Sequence, residues 1–317
     1  MKTRFPPFLL GVLTMLLLVS CAPPAPPPKP TSISRESALP PGAEKIHPAD
    51  DPHPPILHHP GWEAPIPLPG PINTAGGEDA PFIPADGERL FFFFTPDVSV
   101  PAEGQLQDGA TGIYLSTRTE QGWSPPKRLV LSRDLALDGC PFAHGSRLWF
   151  CSARTGSTGV GWYTAEYTEG SWKNWQPAEF NPDHQVGEFH LSANGTELYF
   201  GSDRSGTLGA SDLWFSRLVD GTWSAPENLT SLNTAADESR PFLTSDGEEI
   251  WFTRTYQGSP AVFRSQRSRD GWETPELILS QFAGEPTLDP QGNIYFVHHY
   301  YLDGEMVEVD LYLAKKK

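Results

Sequence analysis

The sequence is short of positive charge, of sulfur and of chain uninterrupted by glycine or proline. Its 317 residues include 23 Lys and Arg against 39 Asp and Glu, a formal net charge of −16. Nucleic acid is therefore excluded as an expected partner, because phosphates need clustered Lys and Arg. Direct adsorption to an anionic membrane surface is disfavoured for the same reason. From residue 61 onward no stretch free of Gly and Pro exceeds 14 residues (227–240), and that one lacks helical periodicity, so helices are nearly excluded. The longest apolar run, Phe8 to Val19, has 12 residues and is too short to span a bilayer as a helix. No phosphate-cradling Gly loop, no Gly-x-Ser-x-Gly elbow and no His-Glu-x-x-His is present. The Asp-box turns of sialidases are absent as well, and neither a cofactor nor a metal is expected.

What is plentiful is turn-forming chain: 29 Gly and 34 Pro, typical of a turn-rich β protein or a linker-rich one. The apolar run follows Lys2 and Arg4 and ends in Leu18-Val19-Ser20-Cys21. A basic start, a short apolar core and a small residue before Cys make a secretory signal. The ending resembles the bacterial lipobox, which implies a signal peptide over 1–20, diacylation of Cys21, and residence in the cell envelope, lipid-anchored on the periplasmic or the outer face. By the sorting pattern of that family, Ala22 after the cysteine favours the outer membrane. Cleavage removes Lys2 and Arg4 and no acid, taking −16 to −18.

Residues 21–60 read as a Pro-rich tether. Thirteen of the 39 residues from 22 to 60 are Pro and apolar residues are sparse, so the stretch should be extended, disordered and coreless. At roughly 3 Å per residue it would hold a domain on the order of 100 Å from the lipid. His47, His53, His58 and His59 fall here, as a metal-binding tract or, more simply, as scattered side chains in a linker. Of the remaining cysteines, Cys140 and Cys151 flank a segment with Gly145-Ser146 at its centre. With that pair as a hairpin turn, 140 and 151 face each other across two strands and form a disulfide in an oxidising compartment.

Between residues 61 and 314 one pattern recurs five times with a period of about 50. It starts with a small-residue turn before an apolar–aromatic–Phe strand: Leu90-Phe91-Phe92, Leu148-Trp149-Phe150, Leu198-Tyr199-Phe200, Ile250-Trp251-Phe252 and Ile294-Tyr295-Phe296. A strand with a central aromatic follows, as in Ile113-Tyr114-Leu115-Ser116 and Leu213-Trp214-Phe215-Ser216. Gly, Trp and then Pro close the unit, as in Gly122-Trp123…Pro126, and Pro marks an outer edge strand. Four short antiparallel strands per unit, each sheet burying its faces only against its neighbours, predict a single all-β, five-bladed β-propeller over 61–317. The order of parts adds a closure. The chain opens on a Trp–Pro segment (62–69) and ends on a third strand, so the opening segment should supply the missing outer strand of the last blade.

The run Ser202-Asp203-Arg204-Ser205-Gly206-Thr207-Leu208-Gly209-Ala210-Ser211-Asp212-Leu213-Trp214 resembles the TolB-type, WD-like propeller repeat of bacterial envelope proteins. So do Asn73-Thr74-Ala75…Glu78…Pro81-Phe82 and its near copy Asn233-Thr234-Ala235…Glu238…Pro241-Phe242. The resemblance spans roughly 62–314. It implies an envelope scaffold or binding module without catalysis, although TolB itself has six blades and an added N-terminal domain.

Acids recur just before the first strand of every unit: Glu78 with Asp79, Asp138, Glu188, Asp237 with Glu238, and Glu285. The fold would aim them at one channel mouth. Two functions are open to them. They could pair with Arg154, Arg204 and Arg254 or cap turns, as structural groups. Or two could act as acid and base in glycoside hydrolysis, with Glu188 and Glu238 as candidates, by analogy with five-bladed propellers of the arabinanase type. Blades three and five carry Gly-Glu where the others place the acid three residues before Pro. With His190 and Arg240, which also break the repeat, the candidate rim is Glu78, Asp138, Glu188, His190, Glu238, Arg240 and Glu285. The expectation is a monomeric, non-catalytic module for a protein or glycan partner, with glycan cleavage as the alternative.

Overall fold

Five consecutive antiparallel meanders follow the repeat. In the computed structural model the described residues are 33–131, 136–154, 160–178 and 186–317; the signal segment and Cys21 lie outside them. The first strands are Gly77–Phe82, Ala136–His144, Phe189–Leu191, Glu238–Leu243 and Ala283–Leu288. Each runs through a tight turn into the second strand, and Gly87, Gly145, Gly195, Gly247 and Gly292 take the positive φ, 60 to 77°, that the turn demands. The second strands are Arg89–Thr95, Arg147–Arg154, Glu197–Ser202, Glu249–Tyr256 and Ile294–Leu302, and the third are Gly112–Thr119, Val160–Thr168, Asp212–Val219, Ser259–Ser268 and Glu305–Ala314. The first strands contact one another in sequence, and that of the fifth unit contacts that of the first, so the ring closes. Phe92, Phe150, Phe200, Phe252 and Phe296 are at most 1% exposed, one wedge-filling ring per unit.

The closing strand comes from the beginning of the domain. Ile66 pairs with Leu313 and Pro67 with Tyr312, antiparallel to the last strand of the chain. The join uses the same chemistry as an internal one. Asn73 exchanges side-chain amide bonds with Leu311 N and O (3.0 and 2.9 Å), as Asn233 does with Leu213 N and O (both 2.8 Å).

Four first strands carry a bulge before Pro. The residues there, Ala80, Cys140, Arg240 and Glu285, have φ of 48, 49, 52 and 54°, and strand pairing shifts register at each. Cys140 and Cys151 are joined by a disulfide with Cα atoms 5.4 Å apart. They are not directly opposed, as the hairpin alone suggested: the bulge leaves Cys151 across from Gly139.

Residues 33–60 correct the expectation of a disordered tether reaching residue 60. They dock on the domain through charge rather than through a core of their own. Arg35 is 4% exposed and donates to Glu78 Oε1 (3.0 Å) and to the Ile72 carbonyl (2.7 Å), over Phe92 and Tyr114. In the fourth unit Arg254 makes the equivalent set: Glu238 Oε1 (2.7 Å), the Leu232 carbonyl, Phe252 and Phe263. Arg254 lies opposite Glu238 in the strand register, whereas Phe94 lies opposite Glu78. The N-terminal segment therefore delivers the guanidinium that the first unit lacks. Lys45 pairs with Glu308 and Asp310, and Asp51 accepts from His298 Nε2 at 2.7 Å. Ile56–Leu57 then adds a strand outside the fourth unit, on Leu279 and Ser280. Pro-rich composition speaks to whether a segment has its own core, and is blind to buried acids elsewhere that need a cation.

Replacing Arg35 by Ala strands the Glu78 carboxylate, which is fully buried, and should cost about 3–5 kcal/mol in urea unfolding. Adding Phe94→Arg, which puts the guanidinium where the fourth unit has it, should recover part of that loss. A cost below about 1 kcal/mol would show that this ion pair does not anchor the segment.

Candidate functional site

The recurrent acids split into two sets that point in different directions, and the bulge divides them. Glu78, Asp138 and Glu238 stand three residues before Pro, two positions ahead of the bulge. They turn under the sheet, with exposures of 0, 7 and 0%. Each is satisfied there. Glu78 and Glu238 bind Arg35 and Arg254 and also accept from the hydroxyl and backbone N–H of Thr74 and Thr234 at 2.6 to 3.1 Å. Asp138 accepts from Ser152 Oγ at 2.6 Å, with Arg154 at 3.8 Å. Burial raises the Glu78 carboxyl to about 7, against the pull of Arg35, and raises Asp138 as well. These three are corrected from rim residues to internal struts, and Glu238 is withdrawn as a catalytic candidate.

The residues two positions further on, bulged in four of the units, face the axis instead. Ala80, Cys140, Glu188, Arg240 and Glu285 line one mouth cavity of about 60 Å³. Arg240 Nε lies 2.7 Å from Glu285 Oε1 and 3.6 Å from Glu188 Oε1, so one cation ties three adjacent units together. Arg204, expected as a partner for these acids, turns to the Phe200 and Trp214 rings instead. Desolvation holds the Glu285 carboxyl well above the usual range, opposed by Arg240 and reinforced by Asp79 and Glu188. Asp79, one of the recurrent acids, and His299, which does not stand out in the sequence, join Glu285 there. Asp212 accepts from the Leu208 and Gly209 amides at 2.8 and 3.1 Å, bonding the turn before its own strand, whereas Asp310 meets Lys45.

One residue past the Pro comes a ring of aromatics. Phe82, Phe142, His190 and Phe242 each pair with the aromatic of their second strand. Their ring centroids lie 4.7 to 4.9 Å apart around the axis, closing the channel. They form the floor of the acidic mouth and, on their other side, of a cavity of about 490 Å³ among the hairpin turns. His190 stands where three units have Phe; it is a plug residue, not a rim residue. Burial lowers its imidazole to about 3, with His144 adding to the effect.

No family model matches the chain, and no curated protein does. Solved structures are similar at low identity. TolB from Acinetobacter baumannii is 17% identical with a TM-score of 0.43, over 72% of this chain; the chain spans about half (53%) of its length. A putative TolB from Agrobacterium tumefaciens is also 17% identical, with a TM-score of 0.44 over 76% of this chain and 77% of that one. A GH62 hydrolase in complex with xylotriose is 13% identical, with a TM-score of 0.44 over 79% and 95%. Among the described residues no helix is long and apolar enough to cross a membrane.

His190 should make the domain acid-sensitive. Its folded pKa lies below the unfolded value near 6.5, so the folded state binds fewer protons and stability falls as pH drops through 6.5. At about 1.4 kcal/mol per pH unit, roughly 2 kcal/mol is lost between pH 7.5 and 5. In His190→Phe that share of the loss should vanish while the other buried histidines keep theirs. Urea unfolding of both proteins at the two pH values measures it, and equal losses would refute the assignment.

Proposed function

We propose that the chain is an exported, lipid-anchored five-bladed β-propeller that binds a protein or glycan partner in the cell envelope and catalyses no reaction. The closed ring of first strands supports the blade count. The observation that carries the absence of catalysis is arginine pairing. Glu78, Asp138, Glu188, Glu238 and Glu285 each lie within 4.0 Å of an arginine: Arg35, Arg154, Arg240, Arg254 and Arg240 in turn. Glycoside hydrolysis needs one carboxyl that holds a proton against the leaving group and a second free to attack or activate water. A guanidinium in contact favours the charged form and ties the carboxylate into an ion pair, which opposes the proton-holding role.

Anchorage rests on the signal segment and Cys21. Because residues 33–60 dock on the domain, only the 11 residues from Ala22 to Ser32 separate it from the lipid. Extended, they would span about 35 Å rather than 100. The module would work close to the membrane, in the periplasm or at the outer-membrane surface.

A panel of envelope and plant polysaccharides incubated with the protein should release no sugar. Release that disappears in Glu188→Gln, the most exposed of these carboxylates, would replace the binding reading by hydrolysis. In cells fed labelled palmitate, the parent should take up label and sediment with membranes. Cys21→Ser should do neither, and unlabelled parent protein would overturn the anchor.

A further inference from the structure

The acidic mouth holds a set of donors that the arginine pairing engages only at Glu285. Asp79, Glu285 and His299 each offer a ligand atom, and all three atoms lie within 4.8 Å of one another. They come from three strands, the first of unit one and the first and second of unit five. We propose that Asp79, Glu285 and His299 bind one divalent transition cation of the Zn²⁺ type, at the seam where the last unit meets the first.

Three further observations point the donors at a cation. His299 Nδ1 faces the Phe282 carbonyl at 3.3 Å. A proton on Nδ1 donates there, and the Nε2 lone pair is left for a metal; an imidazole oriented through its other nitrogen is the usual outer support of a metal-binding histidine. Glu285 is 8% exposed, and its cation among the described residues is Arg240, which contacts it through a single nitrogen at 2.7 Å. That contact leaves lone pairs on the carboxylate unspent while holding it in place, as the outer partner of a ligating carboxylate does. Asp79 accepts from Ala80 N through Oδ1 at 2.8 Å, which fixes its carboxylate, and its side chain lies in hydrogen-bonding reach of Glu285, so two carboxyls crowd one spot that a cation would neutralise. The charge balance agrees: Asp79, Glu188, Asp237 and Glu285 all act on Arg240, four negative groups around one positive.

Donor type selects the ion. One imidazole with two carboxylates suits Zn²⁺ or its borderline neighbours better than Ca²⁺ or Mg²⁺, which favour all-oxygen shells. Tetrahedral zinc with bonds near 2.0–2.2 Å puts its donors about 3.3 Å apart, so side-chain shifts of about 1 Å close the site. Three protein donors leave a fourth position open toward the mouth. An ion here would staple unit five to unit one.

The test uses the full-length protein, stripped with EDTA and desalted, and titrated calorimetrically with ZnCl₂, MnCl₂ and CaCl₂. His47, His53, His58, His59 and Cys21 could bind zinc on their own, so the readout is a difference between proteins. His299→Ala and, more gently, Asp79→Asn should each lose one equivalent of Zn²⁺ or bind it at least tenfold more weakly. Zinc should raise the melting temperature of the parent and of neither variant. Zinc-edge anomalous diffraction should put a peak between the three side chains. Equal stoichiometry and equal thermal response in the parent and a folded Asp79→Asn would overturn the site. Tighter binding of Ca²⁺ than Zn²⁺ would overturn the class of ion.

Discussion

A carboxylate buried at the entry of a first strand must meet a guanidinium, and much of the remaining architecture follows from that requirement. Burying an unpaired charge costs several kcal/mol, more than most single side-chain contacts return. The chain meets the demand in three ways. In the fourth unit Arg254 comes from the facing position of the second strand. In the second, Arg154 comes from further along its second strand. In the first, Phe94 occupies the facing position and Arg35 arrives from outside the repeat. The docking of residues 33–60 is the consequence. A Pro-rich segment that cannot make a core of its own is held where Ala38, Leu39, Ile46 and Leu57 pack on the domain and where its cations meet buried acids, Lys45 repeating the logic at Glu308 and Asp310.

The same economy governs the closure. A ring made from one chain has one seam, and a seam weaker than the internal joins would set the stability of the whole. Here the seam is built like a join. Ile66–Pro67 stands where an outer strand belongs, and Asn73 locks to Leu311 as Asn233 locks to Leu213. The duplicated Asn-Thr-Ala…Glu run is thus a junction device. Its Asn fastens the preceding unit, and its Thr and Glu seat the arginine of the next.

Much of the fold is legible in sequence because each of its determinants is local. The Gly turns, the apolar–aromatic–Phe strands and the Trp–Pro edges act within a unit and recur with it. The reach of residues 33–60 is not legible, since nothing near Arg35 signals that Glu78 needs it. The candidate site is legible only in part. Glu188, Arg240 and Glu285 do meet at one mouth. Glu78, Asp138 and Glu238 look like their companions because sequence alone does not show the bulge that reverses the facing of residues two positions apart. His299 escapes notice because it meets Asp79 and Glu285 only where unit five meets unit one. The one hint in the chain is the spacing: acids three residues before Pro and acids next to it are different positions, and a pleated strand with one extra residue sends them different ways.

That spacing separates what the ring needs from what it can spare. At the position three before Pro, units one, two and four carry an acid with a structural partner, and the choice is fixed by burial. At the position two further on, bulged in four units, the five units carry Ala80, Cys140, Glu188, Arg240 and Glu285, five different side chains around one axis. A position that tolerates methyl, disulfide, carboxylate and guanidinium is not set by packing. Its left-handed backbone in four units holds the side chain toward the mouth whatever the residue. The scaffold thus presents a ring of sites whose geometry is constant and whose chemistry is free to vary. The charged groups there, Glu188, Arg240 and Glu285, are gathered on three successive units, so the charge at this mouth is lopsided toward one side of a nearly symmetric ring.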